Sequence, residues 1–286
     1  MLRIWRMSGK FRVGVTLIAI VVLAGLTQPL LNSLFFEGID PLERGTFKIY
    51  LRISGEHLLG TDRLGRDNLA LLILGIRYSL AVGVFAGLAA TGIGIVVGFV
   101  AGYMGGIFDN VLRSITDMML VIPTFPILVV LAVFVPRIDL PVMSLLLAAF
   151  SWPAAARSIR AQVLSLRSRP YIDMARISME SDAEIIFLEL VPNLLPYLGL
   201  GLASSIMSAM FAVVSLEVIG LAPGGIVSLG LMLSWALAWG VMAQAHLWHM
   251  ILAPAGVLTL LFVGLNLINI GMEEVYNPRL SAVTGR

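Results

Sequence analysis

The strongest constraint on this chain is where its charges are missing. Lys, Arg, Asp and Glu are absent from 13–36, 78–108, 118–136, 140–156, 190–216 and 218–272. A helix that crosses a bilayer needs about 20 mostly apolar residues, with a range of about 17–25. The first five windows each hold one span, and the last, 55 residues long, has room for two. Composition agrees: 13% of the residues are charged and 59% hydrophobic, against roughly 25% and 45–50% in soluble domains. An ordinary soluble enzyme and a disordered chain are excluded. The net charge of +2 offers no basic surplus for a phosphate backbone, so nucleic acid is not an expected partner. The absence of cysteine removes thiolate metal sites and disulfides.

The first window follows Arg3, Arg6, Lys10 and Arg12. It is longer than the apolar stretch of a signal peptide, about 7–15 residues, and reads as a retained span. Basic residues concentrate on the cytoplasmic side of membrane proteins. With six spans and a cytoplasmic N-terminus, 12 of the 19 Lys and Arg fall inside and 7 outside. The expected layout is a cytoplasmic N-terminus at 1–12, a first helix at 13–36 and an extracytoplasmic loop at 37–77. A five-helix core at 78–272 follows, and a cytoplasmic tail at 273–286. The core contains a cytoplasmic loop at 157–192 and an extracytoplasmic segment at 222–248.

Within the spans, Gly83, Gly87, Ala90, Gly94, Gly98 and Gly102 share one helix face. Such small-residue faces let helices in lipid approach closely, and bundle packing is the preferred reading over lining a pathway. Ser204, Ser205, Ser208, Ala209, Ala212 and Ser215 form a second small face, suited to helix packing or to a polar pathway. Pro123, Pro126 and Pro153 favour kinks. Glu217 is the one acid with apolar residues on both sides. Its position near the outer end of the fifth span suits either the interface or a pathway.

The polar stretch from Arg160 to Pro196 reads as two short helices. The first runs over 171–179, with Pro170 near its start, where a missing donor is harmless. The second begins at Ser181 or Asp182, with Glu184 in its first turn, and Pro192 breaks it before the fifth span. Asp173-x-Ala175 followed by Pro192 resembles the EAA loop of ABC-importer permeases. Asp173 stands at the motif's Glu, Met174 at its first Ala and Met179 at its turn glycine.

HLLGTDRLGRDNLALLILGIRYSLAVG, from His57 to Gly83, resembles the LGTDxxGRD signature of one subfamily. This is the C-type membrane subunit of oligopeptide, dipeptide and nickel importers. The matches include Gly60, Thr61, Asp62, Gly65, Arg66 and Asp67, while Leu71 stands where the family often has Arg. GYMGG at Gly102–Gly106, Asp117 with Pro123, and Asn277-Pro278-Arg279-Leu280 extend the likeness.

The resemblance implies an all-α polytopic membrane protein with six transmembrane helices, of type I ABC-importer permease architecture, in a prokaryotic cell membrane. Both termini are then cytoplasmic. It implies a transporter subunit rather than an enzyme, carrying peptides, nickel or, in some relatives, oligosaccharides. The partners it implies are a homologous second permease, two ATP-binding subunits and an extracytoplasmic binding protein. ATP and Mg would be bound by the partners, since the chain has no GxxxxGK[ST] loop. Tyr171, Asp173, Met174, Ala175, Arg176 and Met179 then form the coupling surface. Ser204, Ser208, Ser215 and Glu217 are pathway candidates, with Glu217 one turn beyond Val213, where relatives often carry an acid.

In the outer loop, Thr61 or Asp62 is expected to cap a helix. Arg63, Arg66 and Asp67 are expected to pair with one another or with a partner, and Leu69–Leu74 to lie on the outer membrane surface. Both charged loops read as docking surfaces. Ala222-Pro223-Gly224-Gly225 fits the start of the Pro- and Gly-rich outer segment that relatives carry between their last two spans. Trp235, Trp239, Trp248, His246 and His249 suit an interface. A seventh helix at 226–244 is the alternative topology. An independent secondary transporter is the rival function; an intramembrane enzyme using Asp117 or the His246/His249 pair is a more distant one.

Overall fold

The computed structural model describes residues 8–35, 39–134, 139–221 and 227–276. The Ala222-Pro223-Gly224-Gly225 and Asn277–Leu280 matches therefore lie outside the described residues. Among the described residues no sheet forms, and extended chain pairs only at an isolated bridge between Thr61 and Asp67.

The first helix, α1 (Gly9–Leu26), starts at Ser8, whose hydroxyl accepts from the Phe11 N–H. It ends earlier than the charge-free window suggests. Thr27 turns the chain, and Pro29 falls in a separate helix, α2 (Gln28–Phe35). α1 belongs to the bundle. A Cβ on Gly14 would lie 2.6 Å from the Gly264 carbonyl, and one on Gly271 2.6 Å from the Phe11 nitrogen.

The second span is α3 (Asn68–Met104), 37 residues long. At about 1.5 Å per residue it measures about 55 Å, well beyond a hydrocarbon core of about 30 Å. It starts ten residues before its charge-free window because Asp67 caps it. Asp67 Oδ1 accepts from the N–H groups of Leu69 and Ala70 at 2.8 and 3.1 Å. This corrects two expectations. The cap is neither Thr61 nor Asp62, and Leu69–Leu74 do not lie along the membrane surface. They are the first turns of α3, and Leu71, Leu72 and Ile76 pack with Val227, Leu229 and Met232 in one apolar core.

The glycine face of α3 is a packing face. Gly83 and Gly87 meet Met210 and Ile206, while Gly94, Gly98 and Gly102 meet Ala155, Ala156, Ile159 and Val163. One face thus serves two neighbours, the helices Leu140–Arg167 and Val191–Val218.

After Gly105, α4 (Gly106–Val121) and α5 (Thr124–Phe134) form a single broken span bent by 79°. Pro123 sits in the break, where its missing N–H disrupts no ladder. α6 (Leu140–Arg167) is capped by Asp139 and continues through Pro153 into the region expected to be loop. Then come α7 (Pro170–Ile177) and the short α8 (Asp182–Glu184). A π-helical stretch, Ile185–Leu190, leads directly into α9 (Val191–Val218). Pro192 was expected to break the chain here. It sits instead in the first turn of α9, and the wider π turn before it lets the helix continue.

The final window holds one span. α10 (Leu229–Ala238) has 10 residues, too few to cross a bilayer, and two 3₁₀ turns separate it from α11 (His249–Tyr276). Five helices are long and apolar enough to span, and the bent α4–α5 pair makes a sixth.

Candidate functional site

Two features stand out on the finished bundle: a cavity among the spans and a knob beneath them. The cavity, about 940 Å³, lies between the α4–α5 break, α6, α9 and the end of α11. Ser204 and Ser208, one helical turn apart on α9, line it together with Thr124, Ser151, Ser158 and Tyr197. Ser215 and Glu217 are not among its lining residues. The Ser215 hydroxyl donates to the Phe211 carbonyl on its own helix. Glu217 is 2% exposed and turned the other way, toward the start of α10. A Cβ on Gly230 would come within 2.3 Å of its Oε2, so glycine makes room for the carboxylate there. The first N–H groups of a helix carry partial positive charge, and that is the environment Glu217 meets.

Sequence reasoning missed several polar groups in and beside the cavity, Thr124, Ser151, Ser158 and Gln162 among them. Tyr197 and Glu273 line it, and the Asn269 amide donates to Ser204 Oγ at 3.1 Å. The signal was present: Asn266, Asn269 and Glu273 recur at helical spacing in an otherwise apolar stretch.

A second cleft of about 400 Å³ opens between α4 and α6. Arg160 is held by Asp109 through contacts of 2.5 and 2.6 Å, and Arg157 by Asp117 at 2.5 Å. Asp117 also faces Arg113 at 3.6 Å. Asp117 therefore ties the charged face of α4 to α6.

The knob is α7, α8 and the turn between them. Ile172 and Ala175 are buried with Phe99, Tyr103, Val163, Ile185 and Leu190, which seats α7 on the bundle. Asp173, Met174 and Arg176 face outward, and Asp173 and Arg176 approach to 3.7 Å. The Tyr171 phenol is tucked inward. Burial pushes its pKa above the ordinary 10.0, and the nearby Glu189 carboxylate adds to this.

Met179 adopts φ +61°, the left-handed region that glycine occupies freely. The turn thus adopts here, without a glycine, a backbone that glycine would favour, and the Met179 side chain is 93% exposed. α8 opens with a complete capping box. The Glu184 N–H donates to Ser181 Oγ, and the Ser181 N–H donates to Glu184 Oε2 at 2.7 Å. The Tyr103 hydroxyl donates to Asp182 at 2.5 Å and fastens the knob to α3.

At the end of the bundle opposite the knob the signature residues turn inward. Thr61, Asp62, Arg66 and Asp67 are all buried. The pairings differ from those expected: Arg66 Nε donates to Asp62 Oδ2 at 2.8 Å, and Asp67 Oδ2 contacts His57 Nδ1 at 2.8 Å. The Thr61 hydroxyl donates to the Lys48 carbonyl and accepts from the Leu51 N–H. Gly60 and Gly65 have φ of +60° and +69°. A Cβ on either would come within 2.3 Å of a carbonyl oxygen. These six residues build a loop seated on α10 and the start of α11. Asp62, Arg66 and Asp67 are used inside that loop, whereas Arg44, Lys48, Arg52 and Arg63 are exposed.

Comparison with known proteins identifies the family. Residues 94–282 match the family model described as "Binding-protein-dependent transport system inner membrane component". The oligopeptide transport system permease protein OppC of Mycobacterium bovis is 33% identical over 93% of this chain and 90% of its own length. OppC of Bacillus subtilis is 26% identical over 94% and 85%. The dipeptide transport system permease protein DppC of Haemophilus influenzae is 28% identical over 94% and 90%. The chain belongs to the family of binding-protein-dependent transport system inner membrane components and is a multi-pass permease subunit of such an importer.

Proposed function

We propose that this subunit supplies half of a translocation pathway for peptides. The observation that carries this reading is the cavity of about 940 Å³ lined by hydroxyls on three spans. Hydroxyls exchange hydrogen bonds with peptide groups in either direction. Its described lining has no imidazole or thiol, the donors that suit a transition metal. The oligopeptide and dipeptide relatives support the same cargo class.

A homologous permease completes the pathway, two ATP-binding subunits sit below, and an extracytoplasmic binding protein delivers cargo. ATP and Mg belong to the ATP-binding subunits. Both termini lie in the cytoplasm, as the excess of Lys and Arg on that side supports. The α7 surface formed by Asp173, Met174, Arg176 and Met179 receives the motion of the ATP-binding subunits. Ala175 and Tyr171 transmit it inward through their packing on the bundle. Closure of the ATP-binding subunits then tilts the spans between two packings, opening the cavity to one side and then the other.

Purification of the tagged chain from its native membrane in mild detergent tests this. The expected result is a complex with a second permease and two ATP-binding subunits. Solute transport by this chain alone would favour a secondary transporter and overturn the reading.

A further inference from the structure

We propose that the cavity selects for positively charged cargo, with Glu273 as the specificity-determining group at its cytoplasmic end. The proposal rests on the reading of this cavity as the pathway.

Three observations lead to it. First, Glu273 is the only charged side chain among the described lining residues, which are otherwise apolar, hydroxyl or amide. Second, the cations nearest in the sequence to the lining residues are engaged elsewhere. Arg157, beside the lining residue Ser158, is held by Asp117 in the separate cleft, and Arg160 by Asp109. Lys10 pairs with Glu274, the neighbouring acid, which faces α1. The two consecutive acids, about 100° apart around α11, thus lie on different faces, one toward a lysine and one into the cavity. Third, polar groups lead to Glu273 along one face of α11. Asn266 borders an adjoining groove of about 740 Å³. Asn269, the next on that face, spends one end of its amide on Ser204, and the other end is buried without a partner. From Asn266 to Glu273 the rise is about 10 Å, comparable to a tripeptide in extended form.

An ammonium group moving along this face exchanges amide and hydroxyl contacts for a carboxylate at the exit. A carboxylate cargo finds no compensating cation on this half of the pathway. The chemical class recognised is an organic cation: a peptide amino terminus or a basic side chain.

The test uses the complete importer with its binding protein in proteoliposomes. Labelled tri-lysine, tri-alanine and tri-glutamate are supplied at saturating binding protein, and uptake is normalised to ATP hydrolysed. Glu273→Gln should lower the tri-lysine to tri-alanine ratio by about threefold to tenfold, the scale of one charge contact in a wet cleft. Glu273→Lys should lower it further and raise the tri-glutamate ratio. Ratios that stay at wild-type values in both variants overturn the proposal. Ser204→Trp separates this from failure of the underlying reading. It should block all three peptides, and wild-type uptake of all three would overturn the pathway assignment and the proposal with it.

Discussion

The guanidinium of Arg66 lies 4.3 Å from the centroid of the Trp235 ring, while its Nε donates to the buried carboxylate of Asp62. One side chain thus joins the Gly60–Asp67 loop to the segment between the last two spans. Removing one member of a buried ion pair leaves the other charged and unpaired, at a cost of about 3–5 kcal/mol. Arg66→Ala should destabilise the protein on that scale, read as a lower midpoint of thermal unfolding in detergent. Arg66→Lys should recover only part of it, because an ammonium lacks the planar fork and the stacking surface.

The α3 glycines give a paired prediction. A Cβ on Gly94 would stand 2.7 Å from the Ala155 Cβ, whereas one on Gly92 meets nothing within 4 Å. Gly94→Ala should cost about 1–3 kcal/mol through overpacking. Gly92→Ala, on the exposed side of the same helix, should leave stability unchanged or raised. Thermal unfolding of the two variants checks this, and equal losses would contradict the packing described.

On the knob, inward and outward residues should separate two defects. Ala175→Arg forces a charge into the apolar seat of α7, so it should lower both the unfolding midpoint and the transport obtained per ATP. Met174→Glu changes an outward-facing residue. It should lower transport per ATP with the unfolding midpoint unmoved. Uptake and ATP hydrolysis measured side by side distinguish them.

Met179 holds a left-handed backbone with φ +61°. That conformation costs a non-glycine residue about 1–2 kcal/mol. Met179→Gly should remove most of this cost, so amide exchange in the α7–α8 turn should slow. Faster exchange would show that the side chain, 93% exposed here, stabilises the turn in some other way.

The spans were legible in the sequence because lipid tolerates few charges, and gaps in charge mark them directly. Their ends were not. Asp67 and Asp139 sit in polar segments and read as loop, yet each caps a long helix. Pro192 reads as a breaker, and the π turn that absorbs it leaves no mark in local composition. The charges around Gly60 to Asp67 read as a docking surface; only the tertiary contacts of Arg66 with Asp62 and Trp235, and of Asp67 with His57, reveal that Asp62, Arg66 and Asp67 are internal, while Arg63 is exposed. Glu217 drew attention as an isolated acid, but burial against α10 takes it away from the cavity. Glu273 looked like the first residue of a polar tail, and the helix carries it back to the cavity wall.

The most direct test of the account is uptake of a labelled peptide into proteoliposomes holding this chain, its partner permease and two ATP-binding subunits. Uptake should require both ATP and the binding protein, and Ser208→Trp, which fills the cavity, should abolish it while the complex stays assembled. Uptake that proceeds without ATP, or at the wild-type rate in Ser208→Trp, would contradict it.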